Sequence, residues 1–356
     1  IGEIILLAIG FDPQLSSDWI LGHKDRVPDR DILNISRKFL DAEYYGAYLE
    51  THSDQLIIAL GDSFTDGYPV TRCPGRRPPC PRDDSYPGVL ERLFSQDDQT
   101  ISVVRAGMTD SGPDQQLRLF KKYILPTFQP QIVVWQFYSN DTVNNVLYST
   151  YDISDTSELT LLDGKYNWSF RRLRLYNLIP LPESIKKQSR LIKLTMSYFE
   201  RERFSQVPDN FKDDPREWGR NKIVLEIEEM KRLSKIHNFE LYLVLVAPQA
   251  YYMKAADPTW NWPDQWDSRE TEYQILKDLF KHQPNYISGE FTAEEIRNVT
   301  GVPVTSISDT LFATSKRDKA LQGIRHFNEV GYEMLARAIA NRITSDQQKH
   351  KSGINP

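Results

Sequence analysis

The chain of 356 residues lacks any uninterrupted apolar run of about 18 residues. Without such a run, no segment within the chain is long enough to span a membrane as a helix. Runs of lysine and arginine are also missing and the net charge is -5, so a nucleic acid is not an expected partner. Hydrophobic residues make up 40% and charged residues 26% of the chain, which is the composition of a folded globular protein.

Cysteine is scarce: Cys73 and Cys80 are the only two, and both lie in the proline-rich stretch TRCPGRRPPCPR. Their spacing can close a small disulfide ring, and no histidine lies nearby to complete a zinc site. We therefore favour a disulfide over two free thiols. A disulfide implies an oxidising, extracytoplasmic location, whether secreted, periplasmic or membrane-anchored and facing outward.

The first residues, IGEIILLAIGF, allow two interpretations. They are apolar and lack an initiator methionine, as expected if a signal peptide or membrane anchor lay immediately upstream. They fit an ordinary first helix equally well.

Short, continuously apolar runs alternate with helical patterns along the chain. The runs predict strands covered on both faces, at residues 55–63, 100–108, 131–141 and 239–249, with a weaker fifth at 302–309. Such alternation predicts an α/β protein with right-handed crossovers and a parallel sheet that has helices on both faces. Ligands of such folds bind beyond the carboxyl ends of the strands.

Three helices have clear signals. The stretch DSGPDQQLRLFKKYIL predicts one, with Ser111 as its cap, Pro113 in its first turn and Asp114 at its positive end. Apolar residues at helical spacing predict two more at 219–237 and 328–346.

The predicted domain, residues 55–350, follows an N-terminal extension, residues 1–54, that is expected to pack on the core. An insertion at 142–218 contains a predicted hairpin turn at Asp163-Gly164. Residues 257–276 carry three of the seven tryptophans. That segment is either a loop packed onto the core or a platform for carbohydrate.

A serine follows the first predicted strand in the stretch IIALGDSFTDGY. The residue just past a strand of a parallel sheet faces the ligand crevice, which places Ser63 to attack a substrate, while Asp62 is expected to support the turn. A serine hydroxyl is a weak nucleophile until a base takes its proton. Of the six histidines, His326 is the candidate base, because it precedes the last helix, which Asn328 caps, and lies at the same edge of the sheet.

Acyl transfer also requires hydrogen-bond donors for the tetrahedral oxyanion. The second predicted strand ends at Gly107, whose backbone N–H can approach a ligand closely because the residue has no side chain. The third ends at Asn140, whose side-chain amide can donate. With the N–H of Ser63 these make three donors. Each signal alone is typical of a turn, but their order at successive strand ends indicates a catalytic site.

These positions resemble the motifs of the SGNH hydrolase superfamily, the GDSL-type esterases and lipases. GDSFTDG matches the nucleophile motif through Ser63, AGMTDSG the glycine motif through Gly107, SND the asparagine motif through Asn140 and HFNEVG the histidine motif through His326. The resemblance covers residues 55–345 in element order. It implies a flavodoxin-like three-layer α/β/α fold with five parallel strands, an acyl-serine intermediate, no metal or other cofactor, and short acyl ester substrates, commonly acetyl groups on sugars.

Two positions depart from that family. Glycine usually precedes the motif asparagine by two residues, whereas here Tyr138 makes a bulkier pocket wall, which disfavours large acyl groups. The family usually carries aspartate two or three residues before the histidine, but here Ile324 and Gly323 occupy those positions. The group that orients the imidazole is left open between Asp309, Asp318, a backbone carbonyl and none.

Three functional hypotheses follow. The first is a serine esterase that removes short acyl, above all acetyl, groups from a small-molecule or glycan ester. The second is an O-acetyltransferase that uses the same residues but resolves the acyl-serine with a sugar hydroxyl. The third is a carbohydrate-binding protein whose catalytic site has decayed.

Overall fold

The computed structural model describes the chain in segments: residues 26–29, 33–36, 55–68, 70, 83–95, 101–109, 111–147, 149–154, 156, 158–161, 211, 213–257, 259, 267–313 and 326–352. Strands within these segments are β1 (Arg26–Asp29), β2 (Leu33–Ser36), β3 (Gln55–Gly61), β4 (Ile101–Gly107), β5 (Ile132–Phe137), β6 (Tyr151–Ile153), β7 (Leu159–Leu161), β8 (Glu240–Val246) and β9 (Tyr286–Gly289).

Helices within the described segments are α1 (Ser63–Asp66), α2 (Tyr86–Ser95), α3 (Pro113–Leu119), α4 (Leu125–Phe128), α5 (Asp141–Leu147), α6 (Pro215–His237), α7 (Gln249–Ala256), α8 (Asp267–Phe280), α9 (Ala293–Thr300), α10 (Ile307–Leu311) and α11 (Glu329–Lys351). A π-helical segment, Phe120–Ile124, joins α3 to α4. Among the described helices, none combines the length and the apolar character needed to cross a bilayer.

Five parallel strands form the central sheet, in the order β4-β3-β5-β8-β9. Numbered along the chain this is the order 2-1-3-4-5 of flavodoxin-like folds, whose ligand crevice lies between the first and third strands. Helices α2 and α11 pack together on one side, while α6 packs against α3 and α5 on the other. The predicted three-layer α/β/α fold is confirmed.

The four central predictions of buried strands are also confirmed. Strands β4 and β5 are buried at every residue, and β3 and β8 are buried at all but their first. A strand covered by helices on both faces cannot alternate polar and apolar side chains, which explains their continuous apolar runs.

The prediction of a fifth strand at 302–309 is wrong. Val302 is 58% exposed, and the Ser306 side chain caps α10 by accepting the Asp309 N–H at 3.2 Å. The edge strand is instead β9, four residues whose burial alternates. Its sequence, YISG, is too short to carry a periodic signal, whereas β-branched residues made the later segment look like a strand.

Caps were predicted with mixed success. Asn328 does cap α11, accepting the N–H of Gly331 at 3.1 Å. Ser111 does not cap α3: its hydroxyl donates to the Met108 carbonyl at 2.7 Å, and Gly112 occupies the cap position. Pro113 begins the helix as expected, so the boundary is one residue later than the capping serine implied.

Several predicted features lie outside the described residues: the two cysteines, the Asp163-Gly164 turn and the three clustered tryptophans. Of the N-terminal extension, the structure describes the antiparallel pair β1 and β2. The insertion contains an antiparallel pair, β6 and β7. The packing of the extension on the core stays a prediction.

A buried ion pair ties the start of the insertion to the core. Lys222 on α6 and Asp114 on α3 are both fully buried and in direct contact, and Lys222 also donates to the Ser149 hydroxyl. The Asp114 carboxylate also accepts hydrogen bonds from the backbone N–H groups of Thr150 at 2.9 Å and Tyr151 at 3.1 Å, and from the Ser149 and Thr150 hydroxyls. Two helices and the chain at the start of β6 therefore share one charged centre.

Replacing one member of this pair should destabilise the fold strongly. Lys222→Met leaves the Asp114 carboxylate buried without its cation, a change that costs about 3–5 kcal/mol. Urea denaturation should show this loss in the free energy of unfolding. Lys281→Met, which breaks an exposed pair with Asp278, is the matched control and should change little. A loss below about 1 kcal/mol for Lys222→Met would contradict this account of the pair.

Candidate active site

Ser63 is the first residue of the one-turn helix α1, directly beyond β3. Asp62 caps this helix: its carboxylate accepts the N–H of Phe64 at 2.9 Å. Gly67, in the left-handed conformation with φ 82°, ends it. The serine is 7% exposed, and the aspartate beside it supports the turn, as expected from the sequence.

Two paired glycines allow α1 to fold back onto the sheet. Gly61 and Gly107 are partners across β3 and β4. A Cβ at Gly107 would lie 2.2 Å from the backbone nitrogen of Asp66, and one at Gly61 would lie 2.2 Å from Thr65 Oγ1. The close approach of α1 thus requires glycine at both positions. The sequence predicted only a role for the Gly107 N–H. The packing of α1 is a second reason why glycine is needed at this position.

Polar side chains from the core hold the turn that carries Ser63. Gln136 on β5 accepts hydrogen bonds through Oε1 from the Asp62 N–H at 3.3 Å and from the Thr65 hydroxyl at 3.0 Å. Tyr86 OH lies 3.0 Å from the same Thr65 oxygen. Burial raises the pKa of Tyr86, which keeps this phenol protonated as a donor. Sequence reasoning missed these three side chains, because each lies in an ordinary apolar or helical context.

His326 is held by a short antiparallel contact between two loops. Its carbonyl accepts the Ala313 N–H at 2.9 Å, and the following Phe327 forms a β-bridge with Phe312. Asn328 donates from its backbone to the Leu311 carbonyl at 2.9 Å. The imidazole therefore precedes α11, as predicted, but its partner segment is the end of α10 and not a fifth strand.

The structure brings the predicted nucleophile and base into contact. Ser63 Oγ lies 2.7 Å from His326 Nε2, across 263 residues of sequence. Among the described residues, the rings of Phe64 and Tyr68 contact the imidazole, with centroid distances of 4.9 Å and 5.0 Å. The buried ring of Phe64 limits rotation of the histidine while its Nε2 faces the hydroxyl.

Asn140 follows β5 in a turn that Asp141 closes. The Asp141 carboxylate accepts the N–H of Tyr138 at 2.7 Å, and the Asp141 N–H donates to the Tyr138 carbonyl at 3.0 Å. The Oδ1 atom of Asn140 is buried and meets no donor among the described residues. Asn140 therefore lies at the carboxyl end of β5, the strand beside β3. Its side-chain oxygen accepts no hydrogen bond from the described residues.

The acids behind this turn are difficult to ionise. Burial, and then the nearby charge of Asp62, raise the pKa of Asp141 well above its usual range. Burial, followed by the charge of Asp114, raises the pKa of Glu226 to about 8, although Lys222 and a hydrogen bond from Asn145 at 2.7 Å oppose the shift. The shift disfavours a negative charge on Asp141, directly beside Asn140.

Of the two aspartates that could orient the histidine, the structure describes only Asp309. Asp309 is an exposed residue of α10. It lies two residues before Leu311, whose carbonyl accepts the Asn328 N–H. Asp318 lies outside the described residues. Positions 323 and 324, where the family usually carries aspartate, also lie outside them.

Among the described residues, no group of three or more histidine, cysteine, aspartate or glutamate side chains is arranged to hold a metal ion. The described site offers a hydroxyl and an imidazole in direct contact.

Comparisons with known proteins give only distant similarities. No protein-family model and no curated protein matches the chain. Solved structures do align with it. They include a lipase/acylhydrolase from Enterococcus faecalis (15% identity, covering 82% of this chain and 96% of that one, TM-score 0.35) and a carbohydrate acetylesterase family member from Sinorhizobium meliloti (13%, 82% and 98%, TM-score 0.36). A catalytic mutant of an acetylxylan esterase from Geobacillus stearothermophilus aligns at 13% identity, over 82% of this chain and 94% of that one, with a TM-score of 0.37.

The identities and TM-scores of these alignments are too low to assign a reaction or a superfamily. The order of the strands shows the fold.

Adding a methyl group at Gly107 should displace the nucleophile. In Gly107→Ala the new Cβ meets the backbone of α1, so hydrolysis of an aryl acetate should fall at least ~100-fold and stability should fall too. Gly301→Ala is the matched control: its Cβ would meet nothing within 4 Å, although its φ is 72°. That variant should lose about 1 kcal/mol through backbone strain but keep full specific activity. Equal activities for the two variants would contradict the packing argument.

The buried carboxyl of Glu226 should make the fold less stable as the pH rises. Its folded pKa of about 8 lies above the ordinary value of 4.5 for a glutamate, so the folded state holds a proton that the unfolded chain releases. Stability therefore falls between about pH 4.5 and 8. Glu226→Gln should reduce this fall by roughly 1 kcal/mol or more, and part of the slope should remain because of Asp141.

Urea denaturation at pH 5, 6.5 and 8 measures this difference. Glu228→Gln, at a carboxyl that is 58% exposed, serves as the control and should follow the parent. Parallel curves for the parent and Glu226→Gln would show that the carboxyl is already ionised in the folded protein.

Proposed function

We propose that the protein is a serine esterase that hydrolyses short acyl esters through an acyl-enzyme on Ser63. The observation that carries this proposal is the 2.7 Å contact between Ser63 Oγ and His326 Nε2, at the crevice where a fold with this strand order binds ligands. A hydroxyl this close to an imidazole can transfer its proton as it attacks, which is what a serine nucleophile requires.

The reaction has two half-steps. In the first, Ser63 Oγ bonds to the ester carbonyl carbon and its proton passes to His326 Nε2; the C–O bond then breaks and the imidazolium protonates the leaving alkoxide. In the second, water attacks the acyl-serine while the imidazole takes its proton, and the proton returns to Ser63 Oγ as the carboxylic acid departs. No cofactor enters either step.

The oxyanion of each tetrahedral intermediate needs donors placed in advance. The cap of α1 uses the N–H of Phe64 and not that of Ser63, so the serine N–H takes no part in the cap. The side chain of Asn140, one strand away, and the N–H of Gly107, at the end of β4, complete the proposed set. Removing one donor from such a set typically lowers kcat by ~10²–10³.

The acyl group is proposed to be short, and acetyl is the simplest choice. Tyr138 is 5% exposed, and its ring lies 4.6 Å from that of Phe64, beside the catalytic pair. These two buried rings leave less room for an acyl group than would the glycine that the family usually has at the position of Tyr138. The decayed-site hypothesis loses support, because a binding protein has no need to keep the hydroxyl and imidazole in contact. An extracytoplasmic location remains part of the proposal and depends on the cysteine pair.

Removing the nucleophile is the direct test. The parent should react with a fluorophosphonate probe and hydrolyse 4-nitrophenyl acetate, while Ser63→Ala should do neither and His326→Ala should lose at least ~10³-fold in kcat. Ser95→Ala and His282→Ala, at exposed positions, are the matched controls and should behave as the parent. A Ser63→Ala variant as active as the parent would exclude this mechanism.

A further inference from the structure

Tyr68 is an exposed aromatic side chain next to the proposed catalytic pair. It is 39% exposed, and large apolar side chains with that degree of exposure are few among the described residues. Of these, Tyr68 is the one in ring contact with His326, at a centroid distance of 5.0 Å. Phe64, the other described residue in ring contact with the imidazole, is only 1% exposed. The two rings therefore differ: one belongs to the core and the other meets solvent.

The backbone that carries Tyr68 is firmly held although its side chain is exposed. Its N–H donates to the Ser63 carbonyl at 3.1 Å. Its carbonyl accepts the hydroxyl of Tyr332, a fully buried residue, at 2.6 Å. Neither bond involves the Tyr68 side chain, so a substitution there leaves both intact. The ring is consequently presented to solvent from a fixed position beside the nucleophile.

The angle between the rings leaves an aromatic face available. The planes of Tyr68 and His326 meet at 79°, so the two rings are not stacked face to face. At least one face of the tyrosine is thus not covered by the imidazole. An uncovered aromatic face is a surface on which another flat or ring-shaped group packs well.

The direction of proton transfer decides which part of the substrate reaches this face. His326 must protonate the leaving oxygen, so that oxygen lies within hydrogen-bond reach of Nε2 during the reaction. The alcohol part of the ester therefore leaves on the imidazole side of Ser63, where Tyr68 lies. The carbonyl oxygen points instead toward the proposed donors at the ends of β4 and β5.

We propose that Tyr68 is a specificity residue that packs against the alcohol part of the substrate and favours esters of cyclic alcohols, such as sugars or phenols. This inference rests on the proposed esterase function and extends it from the acyl group to the leaving group. The ring of Tyr68, and not its hydroxyl, supplies the contact.

Substrate pairs that share the acetyl group test this assignment. The cyclic alcohols are represented by 4-nitrophenyl acetate and an acetylated methyl xyloside, the acyclic ones by ethyl acetate and vinyl acetate. Each substrate is compared as the ratio of variant to parent, so differences in leaving-group reactivity cancel. The variants are Tyr68→Phe, Tyr68→Leu and Tyr68→Ala, with thermal unfolding measured for each to verify folding.

For cyclic esters, Tyr68→Ala should lower kcat/KM about 10-fold, mainly through KM, and Tyr68→Leu should lower it by less. For acyclic esters each of these variants should lose much less than it loses on cyclic ones, so the ratio of cyclic to acyclic kcat/KM should fall about 5-fold or more. Tyr68→Phe, which keeps the ring, should match the parent on all four esters and in its rate of labelling by a small fluorophosphonate.

Other outcomes would overturn the assignment. An equal loss on all four esters, mainly in kcat and with a shifted pH–rate profile, would show that Tyr68 only positions His326. Unchanged kinetics for Tyr68→Ala would show that the ring contacts no substrate. If the parent itself neither labels nor hydrolyses any of the esters, the esterase function fails, and this inference fails with it.

Discussion

The contact between the Ser63 hydroxyl and the His326 imidazole depends on two separate constraints. The nucleophile is fixed because α1 folds back onto paired glycines and onto Gln136 of the neighbouring strand. The imidazole is fixed because its backbone pairs with the end of α10 and because its ring packs against the buried ring of Phe64. A shift of 1 Å in either support would remove a hydrogen bond that is only 2.7 Å long.

Buried polar groups surround this site on the side of α3, α5 and α6. Asp114 and Lys222 neutralise each other, whereas burial raises the pKa values of Asp141 and Glu226. Burying such groups is expensive unless they are paired or uncharged. The turn that carries Asn140 is anchored by hydrogen bonds from several elements, and burial disfavours a negative charge on the carboxyl next to it.

Much of the fold could be predicted because a parallel sheet has a strong sequence signal. Continuous apolar runs located β3, β4, β5 and β8, and the position of Ser63 beyond β3 followed from them. The edge strand β9 could not be found in the same way, because four residues with alternating burial resemble any short loop. The weaker run at 302–309 looked like a strand until Ser306 proved to cap a helix.

The contact between Ser63 and His326 was predictable from the sequence, but the residues that support it were not. Motif order placed Ser63 and His326 at one edge, yet nothing local distinguishes Gln136 on an apolar strand. Lys222 and Glu226, four residues apart on α6, have the spacing of a pair on a helix surface, but both are fully buried. Their burial depends on α3 and α5, which only the tertiary structure brings against them.

The separation of 263 residues between the nucleophile and the base bears on how the protein acquires activity as it folds. Contacts between residues so far apart form slowly, because a long loop must close before they can exist. The contact needs β3 near one end of the domain and the segment before α11 near the other. An unfinished chain still lacking α11 would therefore lack the contact between Ser63 and His326, and the proposed esterase activity would emerge last, after most of the sheet had already formed.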